Sequence, residues 1–274
     1  MHFEINGARI WAHDVGDGSP ILLLAGLSDP AEVWQAQIDA FAPGRRVIAS
    51  DNRGSGRSPL PPDGVSIVAM ADDAAALLRA LDVESAHVAG FSMGGAIAQE
   101  LALRHPSLVR SLVLNGTWAR PDTYFRRMVT SWIAAVRDAG SARDLLEAFF
   151  LWVYSPRAHA DGTVDRYIDE TLVNPLAQGP EAFFAAAHAC LAWPGAADRL
   201  GAVDVPALVI VGDQDINCPP RHAREIASLL PKADLAVMPG EAHQPFQESP
   251  ETWNEIVRGF WARVEREERL SAAA

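Results

Sequence analysis

The chain has 274 residues, of which 49% are hydrophobic and 21% charged, as in an ordinary globular protein with one well-buried core. Its formal net charge is −12, because 35 acidic residues outnumber 23 basic ones. This excess argues against a nucleic-acid partner, since phosphates are bound by clustered lysine and arginine.

The cysteines and the N-terminal residues bear on metal binding and on the expected cellular location. Cys190 and Cys218 belong to no C-x-x-C pair and no Cys/His cluster, so we expect free thiols and no metal site. Residues 1–4 carry neither a basic flank nor an apolar run, and no apolar stretch reaches the roughly 20 residues of a membrane helix. We therefore expect a cytoplasmic protein without membrane contact, and the sequence leaves homo-oligomerisation open.

The predicted strands begin with an antiparallel hairpin whose tight turn is Asn6-Gly7. After it come short, continuous apolar runs, the pattern of strands covered on both faces. These runs are residues 20–26, 46–50, 86–90, 112–114, 207–211 and 235–238.

Segments with helical spacing of apolar residues lie between these strands, at 70–81, 95–104 and 221–230. An amphipathic stretch over 251–269 closes the chain. Buried strands that alternate with helices predict an α/β fold with a doubly wound, mostly parallel sheet, and the hairpin would extend its edge.

The alternation is interrupted over residues 118–200, which are helical in composition, rich in aromatic residues and without a convincing buried strand. We interpret this segment as a helical lid inserted into a core domain formed by 1–117 and 201–274. Each of its aromatic side chains either fills the lid's own core or lines an apolar pocket. Those assigned to substrate binding are Trp118, Phe125 and Trp152.

Residues 90–95, Gly-Phe-Ser-Met-Gly-Gly, match the pattern G-x-S-x-G. The pattern alone is modest evidence, since about one random chain in ten of this length contains it. Its position between a buried strand and a helix is the setting of a nucleophile elbow, which exposes Ser92 above the sheet. Gly90 and Gly94 would leave room for the sharp turn, and the helix start would aim the Met93 N–H at the reaction centre.

With these motifs the chain resembles the α/β-hydrolase superfamily over nearly its whole length. Residues 24–27 match the position of the family's oxyanion loop, and residues 51–58 resemble its D-x-R-G-x-G-x-S turn. The resemblance implies an α/β-hydrolase fold, with the backbone N–H groups of Leu27 and Met93 as oxyanion donors. One departure is that Ala25-Gly26 stands where the family has His-Gly, which affects the rigidity of the loop more than its chemistry.

An alcohol needs a base to act as a nucleophile at neutral pH, and the base needs an orienting acid. The family order of serine, acid and histidine points to His243, which follows the last apolar strand. The family spacing G-x-x-D-x-x-x-P selects Asp215 as the acid, with Asp213 as the alternative and otherwise a turn residue.

The expected function is hydrolysis of a carboxylic ester or lactone of a small, largely apolar substrate, without a cofactor. The chain is similar to the esterase, enol-lactone hydrolase and aminoacrylate hydrolase group. The same triad also serves carbon–carbon bond hydrolysis and cofactor-free perhydrolysis, and the motif does not separate these reactions. A non-catalytic ligand receptor on this scaffold is the remaining alternative.

Overall fold

A computed structural model describes residues 1–176 and 179–272; Ala177, Gln178 and the last two residues of the predicted core lie outside the described residues. Eight strands form one sheet in the order β1-β2-β4-β3-β5-β6-β7-β8. The strands are β1 (His2–Ile5), β2 (Ala8–Val15), β3 (Ser19–Leu24), β4 (Arg45–Ser50), β5 (Ala86–Phe91), β6 (Val109–Asn115), β7 (Ala207–Gly212) and β8 (Ala233–Met238).

The sheet is parallel from β4 through β8, with β3 between β4 and β5. The hairpin β1–β2 extends it in antiparallel pairing with β4. The predicted doubly wound, mostly parallel sheet with an antiparallel edge is therefore confirmed.

Helices cover both faces of the sheet because its strands are apolar on both sides. In β3, Leu22 and Leu24 pack into the core beneath α2 (Ile67–Ala80) and α3 (Met93–Arg104). The alternate residues Ile21 and Leu23 pack on the opposite face, in the core shared with the tryptophans of the C-terminal helix. This alternation is the period of two that a strand imposes on its side chains.

The other helices of the two layers are α1 (Gln35–Phe41), α9 (Pro220–Leu229), α10 (Pro245–Glu248) and α11 (Pro250–Ala272). Of these, α9 and α11 match the predicted segments 221–230 and 251–269, whereas the short helices α1 and α10 were not predicted. Within the described residues, no helix is both long and apolar enough to span a membrane.

The segment between β6 and β7, which we call the lid, contains five α-helices within its described residues. They are α4 (Thr123–Asp138), α5 (Ala142–Val153), α6 (Pro156–Ala160), α7 (Thr163–Leu172) and α8 (Pro180–Ala192). Aromatic rings join them: the Phe149 centroid lies 5.7 Å from that of Trp132 and 6.0 Å from that of Phe183. Several lid aromatics thus fill the packing between helices, one of the two roles considered for them.

Candidate active site

The carboxyl ends of β3, β5 and β7 meet at one edge of the sheet, as parallel strands require. Ser92 follows β5 directly, Leu27 lies just beyond β3, and Asp215 lies just beyond β7. His243 lies in the loop between β8 and α10. Open α/β sheets place their ligand sites at this edge.

Ser92 occupies the sharp turn between β5 and α3, with φ 54° and ψ −115°. A positive φ is uncommon for a residue with a side chain and persists only where the surroundings impose it. The Ser92 N–H donates to the carbonyl oxygen of Asn115 at 2.9 Å, and the Thr117 hydroxyl donates to the Ser92 carbonyl at 2.8 Å. Residues at the end of β6 and just after it therefore fix the conformation of the turn.

The flanking glycines are required because other backbone atoms occupy their side-chain positions. A Cβ atom on Gly90 would lie 2.2 Å from the carbonyl oxygen of Gly94. A Cβ atom on Gly94 would lie 2.1 Å from the carbonyl oxygen of Leu24. The helix α3 thus approaches β5 and β3 more closely than any side chain permits.

We expect Gly94→Ala to lower the free energy of unfolding by about 2–3 kcal/mol, because its methyl group displaces backbone of the central strand β3. The matched control is Gly259→Ala in the exposed part of α11, where an added Cβ meets no atom within 4 Å. That change should raise the free energy of unfolding by about 0.5–1 kcal/mol through helix propensity. Urea unfolding measures both, and equal stability of the two variants would contradict the steric argument.

Three side chains from three loops form one hydrogen-bonded chain. The Ser92 Oγ lies 3.1 Å from His243 Nε2, and His243 Nδ1 lies 2.8 Å from Asp215 Oδ2. When Nδ1 donates to the carboxylate, Nε2 is left to accept the serine proton. All three residues are buried, with exposed fractions of 8% for Ser92, 4% for His243 and 2% for Asp215.

Asp215 is fixed on its second oxygen as well. Its Oδ1 accepts from the backbone N–H groups of Asn217 and Cys218, each at 2.8 Å. Asp213 instead accepts from the Gly240 N–H at 2.8 Å and so ties β7 to the loop that carries the histidine. Of the two aspartates considered from the sequence, Asp215 is the one that contacts His243.

The loop that carries His243 is attached to the lid, a connection that the sequence analysis missed. The His243 N–H donates to the carbonyl oxygen of Val153 at 3.0 Å. The hydroxyl of Tyr154 lies within hydrogen-bond distance of side-chain oxygens of Gln244 (2.9 Å) and Gln247 (2.8 Å). The end of α5 therefore fixes both the backbone and the flanking side chains of the base.

A buried carboxylate continues this attachment. Glu248 accepts from the N–H and the hydroxyl of Ser155 on the lid side and from the Ala242 N–H beside the histidine. Burial raises the pKa of Glu248 above its ordinary value, although these donors oppose the rise. One carboxylate thus joins the lid to the residue before His243.

The two predicted oxyanion donors come from different segments that lie against each other. Met93 is the first residue of α3, where helix N–H groups have no intrahelical acceptor. A Cβ atom on Gly94 would also lie 2.7 Å from the Ala25 carbonyl oxygen, so the loop that carries Leu27 runs beside the helix start. The placement suits two convergent donors, and their role stays a prediction.

The predicted substrate-binding aromatics divide into two groups. Trp118 and Phe125 are each 1% exposed, and their ring centroids lie 4.0 Å apart in the core beneath the lid. Trp152 is partly exposed and lines a cavity of about 700 Å³. The other lining residues are Leu151, Tyr154, Pro156, His159, Ala160, Gln214 and Ile216.

That cavity adjoins the acid loop, since Gln214 and Ile216 flank Asp215. Ser92 is not one of its lining residues, and neither are Trp118 and Phe125. Trp152 is therefore the only one of the three predicted contacts found on the wall of this cavity.

Asp29 is a further acidic side chain at the site that the sequence analysis did not single out. A Cβ atom on Gly26 would lie 2.6 Å from Asp29 Oδ2 and 2.9 Å from the ring of Phe91, so the three residues are packed together. Burial raises the pKa of Asp29 to about 7, and the charge of His243 opposes that rise. The available signal was its position two residues after Leu27.

Comparisons with known proteins agree with this geometry. The family model described as alpha/beta hydrolase fold matches residues 19–250. A protein of Azorhizobium caulinodans named as a candidate carbamate hydrolase, RutD, is 33% identical over 97% of this chain and 96% of its own length.

Two solved structures are also similar. A thermophilic esterase from Thermogutta terrifontis has a TM-score of 0.85 at 28% identity, covering 96% of this chain and 98% of the esterase. Est816, described as an N-acyl homoserine lactone degrading enzyme, has a TM-score of 0.81 at 29% identity, covering 95% and 100%. The chain is therefore a member of the α/β-hydrolase family.

Proposed function

We propose that this α/β-hydrolase is a serine hydrolase that cleaves a carboxylic ester or lactone of a small, largely apolar substrate. The observation that carries the proposal is the hydrogen-bonded chain from the Ser92 hydroxyl through His243 to Asp215. A nucleophile within reach of a base, with the base oriented by a carboxylate, is the arrangement that activates an alcohol for acyl transfer.

In the first half-reaction Ser92 Oγ attacks the substrate carbonyl carbon while its proton moves to His243 Nε2. The negative charge of Asp215 stabilises the imidazolium. The backbone N–H groups of Asn217 and Cys218 donate to the Asp215 carboxylate and hold it in place. The tetrahedral oxyanion accepts hydrogen bonds from the backbone of Leu27 and Met93, each typically worth about 3 kcal/mol. The alcohol then leaves with the proton from His243, and an acyl-enzyme remains.

In the second half-reaction water attacks the acyl-enzyme, giving its proton to His243, and Ser92 takes that proton back as the acid leaves. In a lactone the leaving alcohol stays attached to the acyl group, so one hydroxy acid is released. The buried Val153 carbonyl and the Tyr154 hydroxyl hold the histidine loop during both steps.

Support for esters and lactones comes from the names of the two similar structures, an esterase and a lactone-degrading enzyme. The name of the 33% identical relative supports a carbamate as a second candidate. Attack of serine on a carbamate carbonyl uses the same residues, so the geometry of the triad suits both bonds.

The test is steady-state hydrolysis of p-nitrophenyl esters of increasing acyl length, an acyl homoserine lactone and an aryl carbamate. Ser92→Ala serves as the background in every assay. We expect hydrolysis of short or medium acyl chains that depends on Ser92. If only the carbamate were cleaved, the protein would be a carbamate hydrolase rather than an esterase or lactonase. If no substrate were cleaved, a non-catalytic ligand receptor would be favoured.

A further inference from the structure

Glu248 is a buried carboxylate close to the catalytic base that takes no part in the proposed proton transfers. It is the last residue of α10, five positions after His243, and its side chain is 0% exposed. Removing a carboxylate from water costs free energy unless hydrogen-bond donors of the protein replace the water. The donors to Glu248 therefore show which parts of the molecule this buried group connects.

The two oxygens of Glu248 accept from different segments of the chain. Its Oε1 accepts from the backbone N–H of Ala242, the residue before His243, at 3.1 Å. Its Oε2 accepts from the N–H of Ser155 at 3.1 Å and also from the Ser155 hydroxyl. Ser155 is fully buried, and its hydroxyl oxygen accepts from the Ala158 N–H at the start of α6. The carboxylate thus bridges the histidine loop and a fixed turn of the lid.

The same turn of the lid holds the backbone of the base itself. The His243 N–H donates to the Val153 carbonyl oxygen at 3.0 Å, two residues before Ser155. Two consecutive N–H groups of the histidine loop are therefore anchored to one lid segment, one directly and the other through Glu248. The His243 ring lies 3.1 Å from the Ser92 hydroxyl, and a displacement of about 1 Å at a reacting group can lower a rate about 100-fold.

We propose that Glu248 is a positioning residue, which holds His243 Nε2 within reach of the Ser92 hydroxyl. It does so by fixing the residue before the base to the lid, and the inference rests on the proposed roles of Ser92 and His243. A carboxylate suits this position because it offers two acceptor oxygens to donors from two segments. An amide has one acceptor oxygen, and its NH₂ group would face one of the two backbone N–H groups. Glu248→Gln therefore breaks the bridge without changing the size of the side chain.

Glu241 provides a matched control in the same loop. Its side chain is 9% exposed and accepts from Arg157 Nη2 at 2.9 Å and from the Ser249 hydroxyl at 2.6 Å. Arg157 belongs to the lid but is half-exposed, so its ion pair with Glu241 contributes little to holding the lid. Glu241→Gln changes the same charge two residues before His243 and keeps the bridge through Glu248.

The rate at which a fluorophosphonate labels Ser92 tests the proposal without a choice of substrate. Ser92 Oγ attacks phosphorus, fluoride leaves and His243 takes the proton, so the rate depends on the geometry of the pair. Intact mass measurement follows the labelling of wild type, Glu248→Gln and Glu241→Gln at one reagent concentration, well below each Tm. We expect Glu248→Gln to lower the rate constant by about 10- to 100-fold, with complete labelling at the end, and Glu241→Gln to stay within about threefold.

Steady-state kinetics give a second readout of positioning. With a p-nitrophenyl ester, Glu248→Gln should lower kcat by about 10- to 100-fold and leave KM within about threefold, because the bridge acts on the base and not on the substrate. If Glu248 only supported folding, fewer chains would be labelled, each at the wild-type rate constant. That result would overturn the proposal, as would an equal loss of rate in Glu241→Gln.

Ser155→Ala tests the lid side of the bridge without altering the histidine loop. It removes the hydroxyl that donates to Glu248 and keeps the backbone N–H, so we expect a smaller loss of rate, about 3- to 10-fold. The double variant should lose no more than Glu248→Gln alone, because both changes break one connection. Losses that multiply in the double variant would overturn the proposal.

The labelling experiment also separates this inference from the proposed function. A wild-type chain that is not labelled on Ser92 would contradict both. A wild-type chain labelled on Ser92, together with Glu248→Gln reacting at the wild-type rate, would contradict the positioning role alone.

Discussion

Replacing Ser92 with alanine is expected to lower kcat for p-nitrophenyl esters by about 10⁵- to 10⁶-fold. The change removes the nucleophile but none of the backbone contacts that hold the elbow, since those involve the Ser92 N–H and carbonyl groups. Alanine at this position must adopt the same positive-φ conformation as serine and keeps the same backbone hydrogen bonds, so the variant should fold. Initial rates with enzyme of known active-site concentration measure the loss, and circular dichroism checks the fold.

The chain provides a stringent control for this prediction in a second serine–histidine pair. Ser111 lies 2.7 Å from His87 Nδ1, and His87 Nε2 lies 3.3 Å from Glu265. Ser111 and His87 are fully buried, and burial lowers the pKa of His87 to about 4. Because no substrate reaches this pair, Ser111→Ala should retain activity within about threefold. A comparable loss in both variants would show that the loss in Ser92→Ala comes from misfolding.

Asp215→Asn is expected to lower kcat by about 10⁴-fold. Asp215 accepts three hydrogen bonds, and the one from His243 Nδ1 leaves Nε2 free to take the serine proton. An amide that presents its NH₂ to the ring favours the opposite tautomer and supplies no charge for the imidazolium. The pH-dependence of kcat, measured alongside, should show the remaining activity rising at high pH, where serine ionises without the base.

Asp213→Asn is the matched control, because it changes the same charge two residues away. Asp213 accepts from the Gly240 N–H, whereas the histidine ring contacts Asp215. We expect activity within about fivefold and a modest loss of stability, about 1 kcal/mol, from the weaker hydrogen bond. If Asp213→Asn were the variant with the large loss, the assignment of the acid would be wrong.

The fold could be predicted from sequence because each central strand is a short apolar run covered on both faces. The predicted helix bounds were less accurate than the predicted strands. Helix α2 begins at Ile67, before the predicted residue 70, because the Ser66 side chain caps it by accepting from the Ala69 N–H. Apolar periodicity begins only where a helix faces the core, whereas caps extend beyond that face.

The candidate catalytic residues were also accessible from sequence, because the elbow motif and the chain order place them at strand ends. The contacts of the lid were not accessible. Tyr154 and Gln244 are 90 positions apart, and their contact depends on how the end of α5 packs on the histidine loop.

The most direct test of the account is covalent labelling of the wild-type protein with a fluorophosphonate, followed by intact mass measurement and peptide mapping. The phosphorus reagent reacts only with a serine whose proton is removed by a neighbouring base. We expect one adduct per chain, located on Ser92, and none on Ser111. A chain that hydrolyses esters while Ser92 stays unlabelled, or that carries its adduct on another residue, would contradict the assignment of Ser92 as the nucleophile.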